Sequence, residues 1–456
     1  MRPRRPPSAR RCCDPAHRRL VTVKSDAPGE IASATVSIDF PWRRNLVFVW
    51  FGVFAGMLGA NFVFPFIPFF IDELGVDGES RIAFWTGVAG SATGLSLTLT
   101  APLWGSLADR YGRRVMLLRA LIGAGSVIAL MGLAQDVYQL VGLRFAMGAF
   151  AGTMGAAAAL VAATTPRDRV GFALGTLQTG QFTGNMIGPV VGGVVAAAFG
   201  LRQSFFICAS LYAVAVVLTF LFVREPRGEL AVEPSGRASH APSGGLIENL
   251  RVVVAERQIL VMLAMLFVLW LSTTYVRPVL PISIDNYAGG ATGRVSLWLP
   301  WGAARLSREA GTGIVFGVIG ASSTVAALSV SSVGRRVGYR NTVTGAAIIT
   351  GVLYLPLAFA ASFTTFVLFF GAVGLFQGAM VPGTNALIAA AVPDGKHGSA
   401  FGLAASMQSM ALLTGPMAGG FTGSLIGIDW VYVVIGLLLV VAGAWGRVLI
   451  REPEGM

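Results

Sequence analysis

The 456-residue chain has few charged residues (12%) and only three cysteines and three histidines. So few cysteines cannot form a disulfide framework, and no cluster of metal ligands is present, so we expect neither a metal nor a cofactor. His17, His240 and His397 all fall in predicted tails or loops, which excludes a histidine proton relay within a membrane. No nucleotide-binding P-loop and no catalytic triad is discernible. The sequence therefore supports neither an ATP-driven pump nor an enzyme.

Apolar residues dominate what is present. They make up 54% of the chain, and the mean hydropathy is +0.70. Runs of about 20 apolar residues, the length of a membrane-spanning helix, recur along the whole chain. The pattern predicts an all-α integral membrane protein. The spans we predict are 45–70, 83–106, 115–134, 138–163, 170–199, 203–223, 258–283, 312–334, 341–362, 365–391, 398–426 and 429–449.

The net charge of +12 follows from where the 34 lysine and arginine residues lie. Most of them fall in the tails and loops that are cytoplasmic if the amino terminus is cytoplasmic. This is the positive-inside pattern, so the charge sets topology and we expect no nucleic-acid partner. Five arginines lie in the opposite loops: Arg81, Arg202, Arg294, Arg305 and Arg308. Three lie inside spans: Arg119, Arg144 and Arg277.

The chain repeats itself, which predicts two similar halves. FPFIPFFID (64–72) returns as RPVLPISID (277–285), GPVVGG at Gly188 returns as GPMAGG at Gly415, and VREP at Val223 returns as IREP. Two six-helix halves place a substrate site between them, near the bilayer midplane. We predict two helical bundles, at 45–223 and 258–450. A linker at 224–257, ending in a surface amphipathic helix, joins them. The chain begins with a disordered basic tail, 1–44, and ends with a short tail, 451–456.

The second half carries an insertion between Asp285 and Thr312. It contains Trp298, Trp301 and three arginines. Indoles and cations together are typical of a membrane interface. We predict a short interfacial element outside the cell, near the mouth of the cavity.

The stretch GTLQTGQFTGNMIGPVVGG has an unusual glycine spacing. Glycines four apart line one helical face and allow a neighbouring backbone to approach closely, while the proline bends the helix. The spacing resembles the antiporter motif on the fifth helix of drug:proton antiporters in the major facilitator superfamily. The resemblance implies a twelve-helix fold and export driven by a counter-ion. The motif residues are Gly175, Gly184, Gly188, Pro189, Gly192 and Gly193.

The loop GSLADRYGRR resembles the signature loop of the same superfamily. The resemblance implies that Asp109 pairs with the facing half and keeps the cytoplasmic side closed in the outward-open form. The second copy of the loop has Arg335 at that place, so we expect an asymmetric lock. The gating residues are Gly105, Asp109, Arg110, Gly112 and Arg113.

Arg144, in LRFAMGAFAG, lies well inside a predicted span, where an unpaired charge costs at least ~2.5 kcal/mol. The pattern resembles the fourth-helix motif of these antiporters, whose arginine is implicated in proton transfer. The alternative is a structural arginine bonded to backbone carbonyls. Because arginine stays protonated, we predict that it holds an anion, a water chain or a carboxylate, with Asp72 and Asp285 as candidates. Arg119 is predicted to snorkel.

The stretch LGANFVFPFIP resembles the first-helix motif of these exporters, but no carboxylate lies deep in any predicted span. Many cation exporters carry a buried acid there, so an apolar, neutral or anionic substrate fits better. For Arg277 the sequence leaves two roles open: a residue of the substrate site, or a residue that snorkels to the outer edge of the membrane. The candidate cavity residues are Asn61, Gln178, Gln181, Asn185, Tyr275, Arg277, Gln377, Asn385 and Gln408.

Together these features predict a monomeric secondary transporter in a bacterial plasma membrane, with both termini cytoplasmic. Its expected partners are a small-molecule substrate, protons and the lipid bilayer. We expect proton-coupled efflux of small apolar compounds by alternating access. An importer or symporter of the same superfamily is the first alternative. A non-transporting receptor is the second, although the short linker and tails offer little for signalling.

Overall fold

A computed structural model describes residues 21–22, 33–34, 41–225, 256–288, 293–300, 302–392 and 397–452. Most of the tail that we predicted to be disordered, and most of the predicted amphipathic helix of the linker, lie outside these ranges. Within the first 40 residues the structure describes two short paired strands, β1 (Val21–Thr22) and β2 (Ser33–Ala34). Residues 41–44, which we predicted as part of the tail, are described, and a helix already begins at Trp42.

The first half contains eight helices that follow six paths across the molecule. The first and fourth paths are each built from two helices. The helices are α1 (Trp42–Val63), α2 (Ile67–Glu73), α3 (Glu79–Tyr111), α4 (Arg113–Met131), α5 (Val137–Phe150), α6 (Thr153–Thr164), α7 (Val170–Phe199) and α8 (Leu201–Phe222).

The second half repeats this order with two differences: an antiparallel hairpin precedes its second path, and its fourth path is a single continuous helix. Its elements are α9 (Arg257–Val276), α10 (Leu280–Asp285), β3 (Arg294–Leu299), β4 (Gly302–Ser307), α11 (Arg308–Val337), α12 (Tyr339–Tyr354), α13 (Phe363–Ala391), α14 (His397–Ile426) and α15 (Ile428–Leu449).

The breaks in the paths follow from proline and glycine. Pro65 lies in a 3₁₀ turn, Phe64–Phe66, that joins α1 to α2, and proline cannot donate the hydrogen bond that a continuous helix needs there. Gly152 separates α5 from α6 with φ +109, a conformation that costs glycine little. The span predicted as one helix at 138–163 is therefore two helices.

The predicted all-α architecture with two halves is confirmed. Each half has its own hydrophobic core. Among the described residues, eleven helical segments are long and apolar enough to span a membrane. The twelfth path is α14, whose many glycine, serine and threonine residues lower its hydropathy. We call the end with β3 and β4 the hairpin end, and the end with residues 225 and 256 the linker end.

Candidate functional site

The halves meet along two helix pairs, and the first pair is α3 with α14. A Cβ built at Gly87 would lie 2.6 Å from the carbonyl oxygen of Pro416, and one at Gly94 would lie 2.7 Å from that of Leu412. The amide of Met417 donates to Ser91 Oγ at 3.0 Å. Small residues thus bring two backbones into direct contact in the hairpin-end portion of the molecule.

The second pair is α7 with α11, and it uses one glycine of the antiporter motif. A Cβ at Gly193 would lie 2.7 Å from the carbonyl oxygen of Glu309, and one at Gly313 would lie 2.7 Å from that of Pro189. The rest of the glycine face turns the other way. A Cβ at Gly184 or Gly188 would meet the backbone of α1 at 2.8 and 2.7 Å. The motif therefore packs α7 against its own half on one side and the facing half on the other.

The linker end differs from the hairpin end. Gly175 on α7 and its repeat mate Gly402 on α14 have nothing within 4 Å of an added Cβ. These glycines lie on the same two helices that are tightly packed at the hairpin end. The molecule is therefore closed at the hairpin end and open at the linker end.

Two arginines, one from each half, flank a single ring between the halves. The guanidinium carbon of Arg144 lies 5.2 Å from the centroid of Phe64, and that of Arg277 lies 5.5 Å from it. Arg144 is 2% exposed, its Nη1 lies 3.5 Å from Met147 Sδ, and its buried Nε has no hydrogen-bond partner among the described residues. A cation–π contact is worth about 0.5–2 kcal/mol. The ring alone therefore does not offset the burial of this charge.

The carboxylates predicted to serve Arg144 do not pair with it in this structure. Asp72 and Asp285 are repeat mates, and both approach Arg308 Nη1, at 4.0 and 3.5 Å. Arg308 Nε also meets Glu309 Oε1 at 3.1 Å, and its guanidinium lies 4.7 Å from the centroid of Phe69. Arg308 starts α11 in the second half, so its contacts with Asp72 and Phe69 cross between the halves.

Arg119 does not snorkel, contrary to expectation. Its guanidinium stacks 3.6 Å from the centroid of Trp104 and donates to the carbonyl oxygens of Ala149 and Ala151, at 3.4 and 3.2 Å. Those carbonyls lie where α5 ends, so the helix break leaves them without the usual donors. The arginine stabilises the break from inside the bundle.

In the signature loop, the basic residues bind within their own half. Arg113 Nη1 donates to the carbonyl oxygen of Ala159 at 3.3 Å, and Arg110 lies exposed over Tyr111. The side chain of Asp109 lies outside the described part of the chain. Its predicted lock belongs to a form that is closed at the linker end, which is the open end here.

Sequence reasoning missed the acid that holds this loop. Both carboxylate oxygens of Glu225 accept amide hydrogen bonds at the start of α4, from Arg113 and Arg114 at 2.9 Å. Glu452 repeats the contact in the second half by accepting from the amide of Tyr339. Both belong to the repeated REP tripeptide, which was the available signal. Arg308 was missed because it read as one more loop cation.

The predicted cavity residues fall into small groups. Asn61 donates to Asn185 Oδ1 at 2.9 Å, and Gln377 donates to Thr273 Oγ1 at 3.1 Å and to Ser272 Oγ at 3.3 Å. Tyr275 is hydrogen-bonded to Thr422. Gln178 and Gln408 are exposed, whereas Gln181 and Asn385 are half-buried.

Known proteins with similar sequences are transporters. The sequence profile of the Major Facilitator Superfamily matches residues 49–307 and again 288–455. The Multidrug resistance protein MdtG of Salmonella paratyphi C is 31% identical over 401 residues, covering 87% of this chain and 93% of that protein. The protein of the same name from Enterobacter lignolyticus is 29% identical over 418 residues, covering 91% and 95%.

Solved structures show the same fold at low identity. The nucleoside transporter NupG superposes with a TM-score of 0.66 at 14% identity, covering 89% of this chain and 98% of that one. A bacterial homolog of the human lysosomal transporter Spinster, inward-facing and unoccupied, gives 0.70, at 14% identity and covering 90% and 97%. The chain belongs to the major facilitator superfamily and is a membrane transporter rather than an enzyme.

Proposed function

We propose that this protein exports small, largely apolar compounds from the cytoplasm in exchange for protons. The observation that carries the proposal is its match, over about nine-tenths of both chains, to relatives named multidrug resistance proteins. The glycine spacing of α7 supports export over import. In this proposal the protein acts as a monomer in the plasma membrane, with both termini cytoplasmic and the hairpin end outside.

Alternating access requires the seam at the hairpin end to part while the linker end closes. The contacts of Gly87, Gly94, Gly193 and Gly313 are backbone against backbone, so at these points the helices separate without unlocking interdigitated side chains. Closure at the linker end brings the signature loop toward the facing half. We assign Asp109 to that closure, as the family resemblance implies.

We assign the coupling of the seam to the cluster around Arg308. Asp72 and Asp285 keep 48% and 41% of their side chains exposed, so each pair contributes about 0.2–1 kcal/mol. A lock this weak is easily broken. Loss of the pair with Asp72 removes a contact that crosses between the halves, and the hairpin end then opens more readily.

We infer the chemistry of the substrate from the two arginines that flank Phe64. Arg144 and Arg277 flank Phe64 without a carboxylate partner among the described residues. A cationic substrate would meet two positive charges there, whereas a neutral or anionic compound with an apolar body would not. We assign the Asn61–Asn185 pair and Gln377 to the walls of the substrate path.

The test is accumulation of candidate compounds in an efflux-deficient host, with and without a protonophore. Expression should lower accumulation, and the protonophore should abolish the difference. Higher accumulation on expression would support an importer. No change for any compound, at normal protein levels, would support a non-transporting receptor.

A further inference from the structure

The β3–β4 hairpin has two chemically different faces. Strand alternation puts Val295, Leu297 and Leu306 on one face, where Val295 is fully buried against the core of the second half. Arg294 and Arg305 lie on the other face with Ser296 and Trp298, and this face borders open space. The apolar face fixes the hairpin to the bundle, and the basic face is left for another partner.

That basic face borders a cavity of about 860 Å³. Arg294, Ser296, Trp298 and Arg305 line it, together with Asn286 and the loop that precedes α13. Burial, followed by nearby Asp429, raises the pKa of Tyr287, so its hydroxyl stays protonated and donates to the carbonyl oxygen of Ala360 at 2.9 Å. The donors left for a ligand are thus the guanidinium groups of Arg294 and Arg305, the hydroxyl of Ser296 and the side-chain amide of Asn286.

The two arginines lack the partner that their geometry demands. Ser296 pairs with Arg305 across the hairpin and Arg294 with Ser307, so the two arginines are diagonal neighbours, with backbones roughly 7–8 Å apart. Like charges at that spacing repel. The strands contain no acidic residue, and neither arginine has an ion-pair partner among the described residues. An anion between them removes the repulsion.

The position of the hairpin indicates which kind of anion lies near it. The first half turns between α2 and α3 in residues 74–78, so the fold does not need the hairpin for this connection. Trp298, 66% exposed, is held at its backbone by a hydrogen bond from its amide to Thr364 Oγ1 at 2.8 Å. An exposed indole at the end of a bundle lies at the headgroup level of a bilayer.

We propose that the hairpin binds the phosphate headgroup of an anionic phospholipid between Arg294 and Arg305, with its acyl chain passing Trp298. Guanidinium groups match phosphate oxygens in geometry and charge. The site fixes the hairpin to the leaflet at this end of the molecule. It does not depend on what the protein transports.

The test uses full-length protein in nanodiscs of phosphatidylcholine with rising fractions of brominated phosphatidylglycerol. Bromine quenches nearby indoles, and subtracting the signal of Trp298→Phe isolates one of the nine tryptophans. Brominated phosphatidylcholine is the uncharged-headgroup control. Arg305→Gln and Arg294→Gln remove single site charges, and Arg81→Gln removes an exposed charge at the same end but outside the cavity.

We expect brominated phosphatidylglycerol to quench Trp298 more than brominated phosphatidylcholine at equal fraction. Either site variant should raise the half-saturating fraction about fivefold, whereas Arg81→Gln should leave it unchanged. Equal quenching by both lipids, or unchanged half-saturation in both site variants, overturns the proposal. Inorganic phosphate serves as the soluble arm. If phosphate changes the emission of Trp298 in a way that depends on Arg305, while the two brominated lipids quench it equally, the site belongs to a free anion and the lipid assignment is overturned.

Discussion

Phe64 and Phe69 lie five residues apart in one segment, and arginines cover both rings in different surroundings. Arg308, over Phe69, is partly exposed and meets three carboxylates within 4.0 Å. Arg144, over Phe64, is 2% exposed and meets no carboxylate among the described residues. The same aromatic segment thus has an arginine with several carboxylate partners near its end and an arginine without any at its start.

The difference separates two tasks. Ion pairs near water are worth about 1 kcal/mol or less, so the Arg308 cluster is easily made and broken. A buried guanidinium without a counter-charge costs at least about 2.5 kcal/mol, so Arg144 strongly favours any anion or water that reaches it. The Arg308 cluster suits a gate, and the buried charge of Arg144 suits a binding or coupling site.

The largest effect is expected at Arg144. Arg144→Ala should reduce substrate-dependent proton flux in proteoliposomes at least about tenfold, because it removes the buried charge. Arg144→Lys should keep part of the flux with an altered pH profile, because lysine keeps the charge but loses the planar fork. Arg81→Ala is the matched control, an exposed arginine at the hairpin end. A wild-type flux and pH profile in Arg144→Ala would leave only a structural role.

A smaller but still large effect is expected from a pair of glycines on one helix. Gly193→Leu should force α7 away from Glu309 and hold the hairpin end partly open, reducing export several-fold. Gly175→Leu has open space and should leave the hairpin end closed. Accessibility of a cysteine on the seam measures the opening, and membrane protein levels control for folding. Equal accessibility in both variants would argue that the seam does not limit closure.

The sequence predicted the fold well because its signals are local and repeated. Apolar runs located the twelve paths, and the glycine spacing on α7 predicted the close approach seen at Gly188. The partners of the arginines were not predictable in this way. Asp72 and Asp285 were recognised as repeat mates, but their shared partner Arg308 lies in the insertion that breaks the repeat. Contacts between halves depend on which end is closed, and no local pattern encodes that.

The Arg308 cluster offers a finer comparison between two repeat mates. Asp72→Asn removes a contact between the halves, whereas Asp285→Asn removes one within the second half. Asp72→Asn should therefore loosen the hairpin end more, by a factor of up to about five in the open-to-closed ratio. The measurement is the distribution of distances between spin labels across the seam. Identical shifts in both variants would mean that Arg308 does not act as a bridge.

The smallest effect on transport is expected from a cysteine at Ser296. This variant shows on which side of the membrane the hairpin end lies. This residue lines the open cavity beside the hairpin, so the substitution should leave flux near the wild-type level. In a background lacking the three native cysteines, it should react with an impermeant thiol reagent added to intact cells. A cysteine at exposed Asp168, at the linker end, should react only after lysis.

That result would put the Arg308 cluster on the side from which protons enter. The reverse labelling pattern would place the cluster on the cytoplasmic side, where acid outside the cell does not reach it, and would remove it from proton coupling.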